Sequence, residues 1–177
     1  DGRYRLERIL ACPEVTGRVR GEALWVMTWV TLIQGDHTDG ERHLIELREL
    51  AERLDDPILR AQANHWGGLL LLFRGRPAEA ATAYEAAIST FRAVGDVAAW
   101  QTALFQYGLC LLYAGDPDGA LASQAELISL SESNGEAWCK AYAYWVRGLG
   151  LYHKGDLIGA RASACTALTI QDDFEDG

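Results

Sequence analysis

Apolar residues along this chain recur at alternating spacings of four and three. Trp25, Trp29 and Leu32 keep that rhythm, and so do Ala80, Tyr84, Ala87 and Phe91. This is the period of one face of an α-helix, and no segment alternates with period two long enough to predict a strand. The pattern also repeats as a whole. Gly35, Gly75, Gly115 and Gly155 stand at a fixed interval of 40 residues, each after an apolar run. Rows of that length bring Ala23, Ala63, Ala103 and Ala143 into one column, and the small residues Thr28, Gly68, Gly108 and Gly148 into another. Beside them run Trp29, Leu69, Leu109 and Leu149, then Leu32, Leu72, Leu112 and Tyr152. Self-similarity at such a period marks a stack of like units rather than one irregular core.

Each row predicts two helices. The first, helix A, is expected near 17–34, 57–74, 97–114 and 137–154, and the second, helix B, near 38–54, 77–94, 117–134 and 157–171. In Ala114-Gly115-Asp116-Pro117 a helix end is followed by a left-handed Gly, an Asp N-cap and a Pro at the first helical position. Lys154-Gly155-Asp156 repeats the stop and the cap, and Asp56-Pro57 and Gly95-Asp96 do the same between rows. Row two puts Arg76 where the cap belongs, at a cost of about 1 kcal/mol. Gly67 and Gly68 lie inside a helix, where each costs about 1 kcal/mol against Ala, so they are expected where two backbones come close. In the column of Ala80, Ala120 and Ala160 the first row departs with Gly40.

Such short turns make consecutive helices antiparallel neighbours. The predicted fold is therefore all-α: a right-handed α-solenoid of antiparallel helix pairs, with helices A on the concave side. A single repeat domain over 1–177 is expected, with helix pairs at 17–54, 57–94, 97–134 and 137–171. Residues 1–16, including Tyr4, Leu6, Ile9 and Leu10, read as the end of a preceding repeat. Asp1 stands first, so the chain is expected to be excised from something longer. The ends are then expected to meet further repeats, or a second copy stacked end to end as a homodimer.

These residues resemble the tetratricopeptide repeat (TPR). That motif sets a small residue three before a large apolar one, then Gly-Asp, then Ala and further apolar positions. Gly108, Leu111, Gly115, Asp116, Ala120 and Leu127 fill those places, as do Gly68, Leu71, Gly75, Ala80, Tyr84 and Ala87. The 40-residue period exceeds the family's usual 34, which implies longer helices. The whole chain also resembles the TPR region of actinobacterial LuxR-family regulators, the MalT-like group of signal-transduction ATPases. Leu32-Ile33-Gln34-Gly35-Asp36, Gly135-Glu136-Ala137-Trp138, Ala141-Tyr142-Ala143-Tyr144-Trp145 and Gly148-Leu149-Gly150 carry that likeness. It implies a P-loop ATPase before the repeats and a helix-turn-helix domain after them; neither motif lies within these residues.

Composition narrows the functional classes. Of the 177 residues, 49% are hydrophobic and 23% charged, as in ordinary globular chains. Apolar runs such as Leu69–Phe73 fall far short of the ~20 residues a membrane-spanning helix needs. A net charge of −9 makes the chain a poor direct ligand for nucleic acid. Arg3, Arg5, Arg8, Arg18 and Arg20 crowd its start, and a solvated helix face is the expectation there. Cys12, Cys110, Cys139 and Cys165 share no C-x-x-C spacing, which fits reduced thiols in a cytoplasmic setting.

Little here has the spacing of catalysis. His37 and His43 are six apart, not the four that sets two ligands on one helix face. The carboxylates scatter among caps and outer faces. No cofactor, metal or catalytic set is implied, and no enzyme is expected. What stands out is a set of large rings on the helix A faces: Trp25, Trp29, Trp66, Phe105, Tyr113, Tyr142, Trp145 and Tyr152. His65 falls in the column of Trp25, Phe105 and Trp145, and Leu69 and Gln106 complete the predicted groove. Two uses stay open for these rings: filling the space between neighbouring helices, or lining a groove for a peptide, a protein segment or a small effector. The function expected on these grounds is a non-catalytic module that binds a protein, peptide or effector and biases attached ATPase and DNA-binding domains of a LuxR-type regulator. The alternative is a free-standing TPR adaptor that docks peptide segments.

Overall fold

Every row turns at its glycine. Gly35, Gly75, Gly115 and Gly155 have φ between 71° and 85°, the left-handed region where a side chain is strained. At each of them two backbone hydrogen bonds close the turn: Gly115 donates to the Leu112 carbonyl and Asp116 to the Leu111 carbonyl, as in a Schellman ending. The next residue then caps the following helix. Asp36, Asp116 and Asp156 each accept a hydrogen bond from the backbone N–H three residues on, and Arg76 has no carboxylate to do so. Between rows the caps are Asp56, Asp96 and Glu136. Asp55 takes the left-handed conformation (φ 47°) that Gly95 and Gly135 adopt one and two rows later.

A computed structural model describes residues 2–175, with side chains described to residue 172. Among the described residues there are nine α-helices and no strand: α1 Gly2–Ala11, α2 Gly17–Ile33, α3 His37–Leu54, α4 Pro57–Phe73, α5 Pro77–Val94, α6 Val97–Tyr113, α7 Pro117–Asn134, α8 Ala137–His153 and α9 Leu157–Glu175. They form two compact units, Asp1–Val94 and Gly95–Gly177.

In the first unit α2 pairs with α3 and α4 with α5, while α3 and α2 also pack on α4. Its core joins Leu24, Leu44, Leu47, Leu59, Trp66 and Leu70, with Tyr84 and Phe91 of α5 fully enclosed. Helix α1 lies on α2 and buries no residue. Polar links hold it: Arg3 pairs with Asp36 and Asp39 at 3.0 and 3.1 Å, and Arg20 donates to the Leu10 carbonyl at 2.9 Å. Arg3 and Arg20 are thus tied into the unit rather than wholly solvated.

In the second unit α6 pairs with α7 and α8 with α9, and α8 also packs on α7 and α6. Leu104, Cys110, Leu127, Ala143 and Val146 are buried there. A polar set links α6 to α7: buried Gln101 donates to the Ser131 hydroxyl at 3.0 Å, and Gln124 to the Leu104 carbonyl at 3.1 Å. These hydrogen bonds offset part of the cost of burying the two amides, while the Gln124 Oε1 has no hydrogen-bond partner among the described residues.

The small-residue column sits where helix A meets its own helix B. A Cβ on Gly68 would lie 2.8 Å from the enclosed ring of Tyr84, and one on Gly148 would lie 3.3 Å from the Ala160 carbonyl oxygen. Gly67 faces the other way, toward Arg48 and Leu44 of α3. Gly68→Ala should therefore destabilise the fold. Overpacking against Tyr84 costs about 1–3 kcal/mol and outweighs the roughly 1 kcal/mol gained in helix propensity. Urea unfolding should show a lower midpoint with an unchanged slope.

Candidate functional site

Helices A carry the predicted rings, and the two units use them differently. In the first unit Trp66 of α4 lies between its neighbours: 6.1 Å from the Trp25 ring and parallel to it, 5.8 Å from Trp29, and 4.2 Å from His65. His65 in turn meets the rings of Tyr84 and Phe91 edge-on. Trp66 is 4% exposed and His65 1%, and Leu69 is buried with them. Trp25 is half-buried, its indole N–H donating to Glu22 at 2.6 Å, and Trp29 shows its outer face. These rings fill the space between α2, α4 and α5.

In the second unit the rings form an open patch. Phe105 of α6 lies 4.9 Å from Tyr142 and 6.4 Å from Trp145, both on α8. Trp138 joins them, 4.4 Å from Tyr142 and 6.2 Å from Phe105. Phe105 and Tyr142 are half-buried, whereas Trp138 is 45% and Trp145 43% exposed. Tyr113 and Tyr152 stand exposed at the C-terminal ends of α6 and α8, Tyr152 edge-on to His153. Gln106 is half-buried on α6. Trp138 is the ring the groove prediction omitted. Its signal was its place, four before Tyr142 and seven before Trp145 on one helix face.

Charge is absent from this patch. Helix α6 has no charged residue at all. On α8, Lys140 is drawn to Glu132 at 2.9 Å, and the Arg147 guanidinium lies over Tyr144. Glu136 receives the backbone N–H groups of Trp138 and Cys139 as the α8 cap.

Elsewhere in this unit a cavity of about 490 Å³ is lined by Leu121, Ala125, Ile128, Glu132, Arg147 and Leu151, none of them a patch ring. In the first unit one of about 330 Å³ is lined by side chains of α1, α2 and α3, among them Arg20, Asp39 and His43. Burial holds the His43 pKa below its usual value, favouring the neutral ring. Among the described residues no three His, Cys, Asp or Glu side chains are grouped to hold a metal ion, and no helix is long and apolar enough to cross a membrane. Burial pushes the Cys110 thiol up to about 12 and, with Glu136 beside it, Cys139 likewise; Cys165 is exposed.

No family model matches the chain, and no curated protein does. Solved structures do match. The crystal structure of MamA covers 99% of this chain and 90% of its own, with a TM-score of 0.67 and 19% identity. The TPR domain of Arabidopsis FLU covers 66% of this chain and 98% of its own, with a TM-score of 0.63 and 18% identity. The fold is therefore that of the TPR-like helical repeat.

Two outcomes follow from the burial of these groups. Trp66→Ala should cost about 3–5 kcal/mol in urea unfolding, and Trp145→Ala no more than about 1 kcal/mol. In the folded chain at pH 8 a disulfide reagent should modify the exposed Cys165 quickly and leave Cys110 unmodified until denaturant is added, because burial both shields Cys110 and holds it as the unreactive thiol.

Proposed function

We propose that the chain is a non-catalytic interaction module, and that the open ring patch on α6 and α8 is where it takes hold of a peptide segment of a partner protein. The observation that carries this reading is the exposure of Trp138 and Trp145 beside Phe105 and Tyr142. Large rings left half in water on one helix face are costly unless something covers them. Trp and Tyr are the side chains that most often dominate binding interfaces. In the first unit Trp66 and His65 are enclosed and Trp29 stacks on Trp66 with one face exposed, whereas in the second unit two exposed indoles, Trp138 and Trp145, stand together with Phe105 and Tyr142.

Within this reading the chain serves as the repeat module of a cytoplasmic LuxR-type bacterial regulator. Binding there biases attached ATPase and DNA-binding domains. A ligand has this effect only by binding the on and off arrangements with different affinity. The support is the sequence likeness at Gly135-Glu136-Ala137-Trp138 and Ala141-Tyr142-Ala143-Tyr144-Trp145, the segments that build the patch. A free-standing adaptor would use the same patch without attached domains.

Peptide display against the whole chain tests the patch. Selected peptides should shift the indole N–H resonances of Trp138 and Trp145. Trp145→Ala should weaken them at least about tenfold, as loss of a central aromatic anchor does. Peptides that bind while leaving both indoles unmoved would overturn this assignment. Reading the coding sequence on either side for a P-loop and a helix-turn-helix decides between regulator and adaptor.

A further inference from the structure

The partner's chemistry can be read from how the rings on α8 are spaced. We infer that the patch takes a proline-rich segment in the polyproline II conformation, flanked by a Lys or Arg. This rests on the reading of the patch as a peptide-binding surface and narrows it to one class of ligand.

Three observations carry it. The first is register. Trp138, Trp145 and Tyr152 recur every seven residues on α8, with Tyr142 and Leu149 between them. At 1.5 Å per residue these rings are set about 10.5 Å apart along the helix. A polyproline II turn of three residues rises about 9.3 Å at 3.1 Å per residue. A pyrrolidine on every third residue therefore meets successive rings with only a small adjustment of side-chain tilt.

The second is hydrogen-bonding capacity. The exposed rings carry indole N–H and phenol O–H groups at their edges and no acceptor stronger than a hydroxyl. A polyproline II backbone has no internal hydrogen bonds, so its carbonyls are free to accept from such donors. A docked helix has already spent its carbonyls on its own turns. Aromatic grooves that offer donors in this way suit proline-rich ligands.

The third is charge. The patch itself is neutral: α6 carries no charged residue, and none interrupts the face from Trp138 to Tyr152. Proline and alanine place nothing on it that needs a counter-ion. At its N-terminal end the balance is acidic, since α6 and α8, the helices that carry the rings, are capped by Asp96 and Glu136. Glu136 caps α8 next to Trp138, and Asp96 caps α6 while sharing only one of its oxygens with Ala99. A Lys or Arg beside the proline run is drawn to that end, over the Trp138 face.

Titrating the whole chain with three synthetic peptides tests this. One has Pro at every third position and a terminal Lys at each end. A second keeps the lysines but replaces the prolines to give an amphipathic helix. A third keeps the prolines and ends in Glu. Calorimetry should rank the first at least about tenfold tighter than the second, and tighter than the third at low salt. Its indole shifts should fall on Trp138 and Trp145. Trp138→Ala and Trp145→Ala should each weaken it about tenfold or more, whereas Trp29→Ala, an exposed ring of the first unit, should leave it unchanged. Circular dichroism confirms that each variant is folded. A helical peptide that binds the same indoles equally well would overturn the proline class and leave the peptide-binding surface standing. If none of the three peptides, nor any display-selected one, moves those indoles, both readings fall together.

Discussion

The fold depends on how closely each helix A can approach its own helix B. That distance is set by one small residue per row. At Gly68 the missing Cβ gives room to the ring of Tyr84, and at Gly148 to the backbone of α9 near Ala160. The first row solves the same problem from the other side. Its helix A carries Thr28, fully buried and bonded back to the Leu24 carbonyl. Its helix B carries Gly40 where the other rows have Ala, and a Cβ there would lie 2.7 Å from Leu32. The small residue has moved from one helix to its partner, and the close approach is kept. Interiors packed to crystal-like density leave no third option.

Once that contact fixes the rotation of each helix A about its axis, the remaining faces have defined tasks. One packs on neighbouring helices, and one is left outward. In the first unit the outward rings fold back on each other, because Trp66 is long enough to reach both Trp25 and Trp29. In the second unit the position one row on from Trp66 is Gln106, which has no ring to give. The positions one row on from Tyr84 and Phe91 are Gln124 and Ser131, which join the hydrogen-bonded set between α6 and α7. With smaller polar groups filling that interior, Phe105, Trp138, Tyr142 and Trp145 meet on the face instead. An aromatic core in one unit and an aromatic surface in the other thus come from the same repeat.

This explains what could and could not be read from the residues alone. Turns, caps and the helix A–helix B contact were legible because each depends on a few adjacent residues: a Gly with positive φ, an Asp after it, a small side chain one column over. The cover over a ring was not. His65 and Trp145 share a column and therefore point the same way from their own helices, yet one is enclosed and the other half in water. His65 is covered by Trp66, Tyr84 and Phe91, which come from its own and the following helix, whereas Trp145 meets Phe105 and Tyr142 on one side only. Burial is a property of neighbours, and a column records only direction. Trp138 was overlooked for a related reason. It stands at the first turn of α8, where the equivalent residues Ala98 and Ile58 carry no comparable ring.

The distribution of charge makes an exposed aromatic face tolerable. Helix α3 is dense in charged side chains, and α6 has none. Most of the acidic excess lies on helices B, in the turns and at the caps, where the capping carboxylates complement the helix dipoles. Two such patches could meet only by bringing these capping carboxylates together, and like charges disfavour that approach. A neutral or basic segment meets no such barrier. On the proposed reading the rings on helices A supply affinity, and the carboxylates that cap those helices bias which segments reach them.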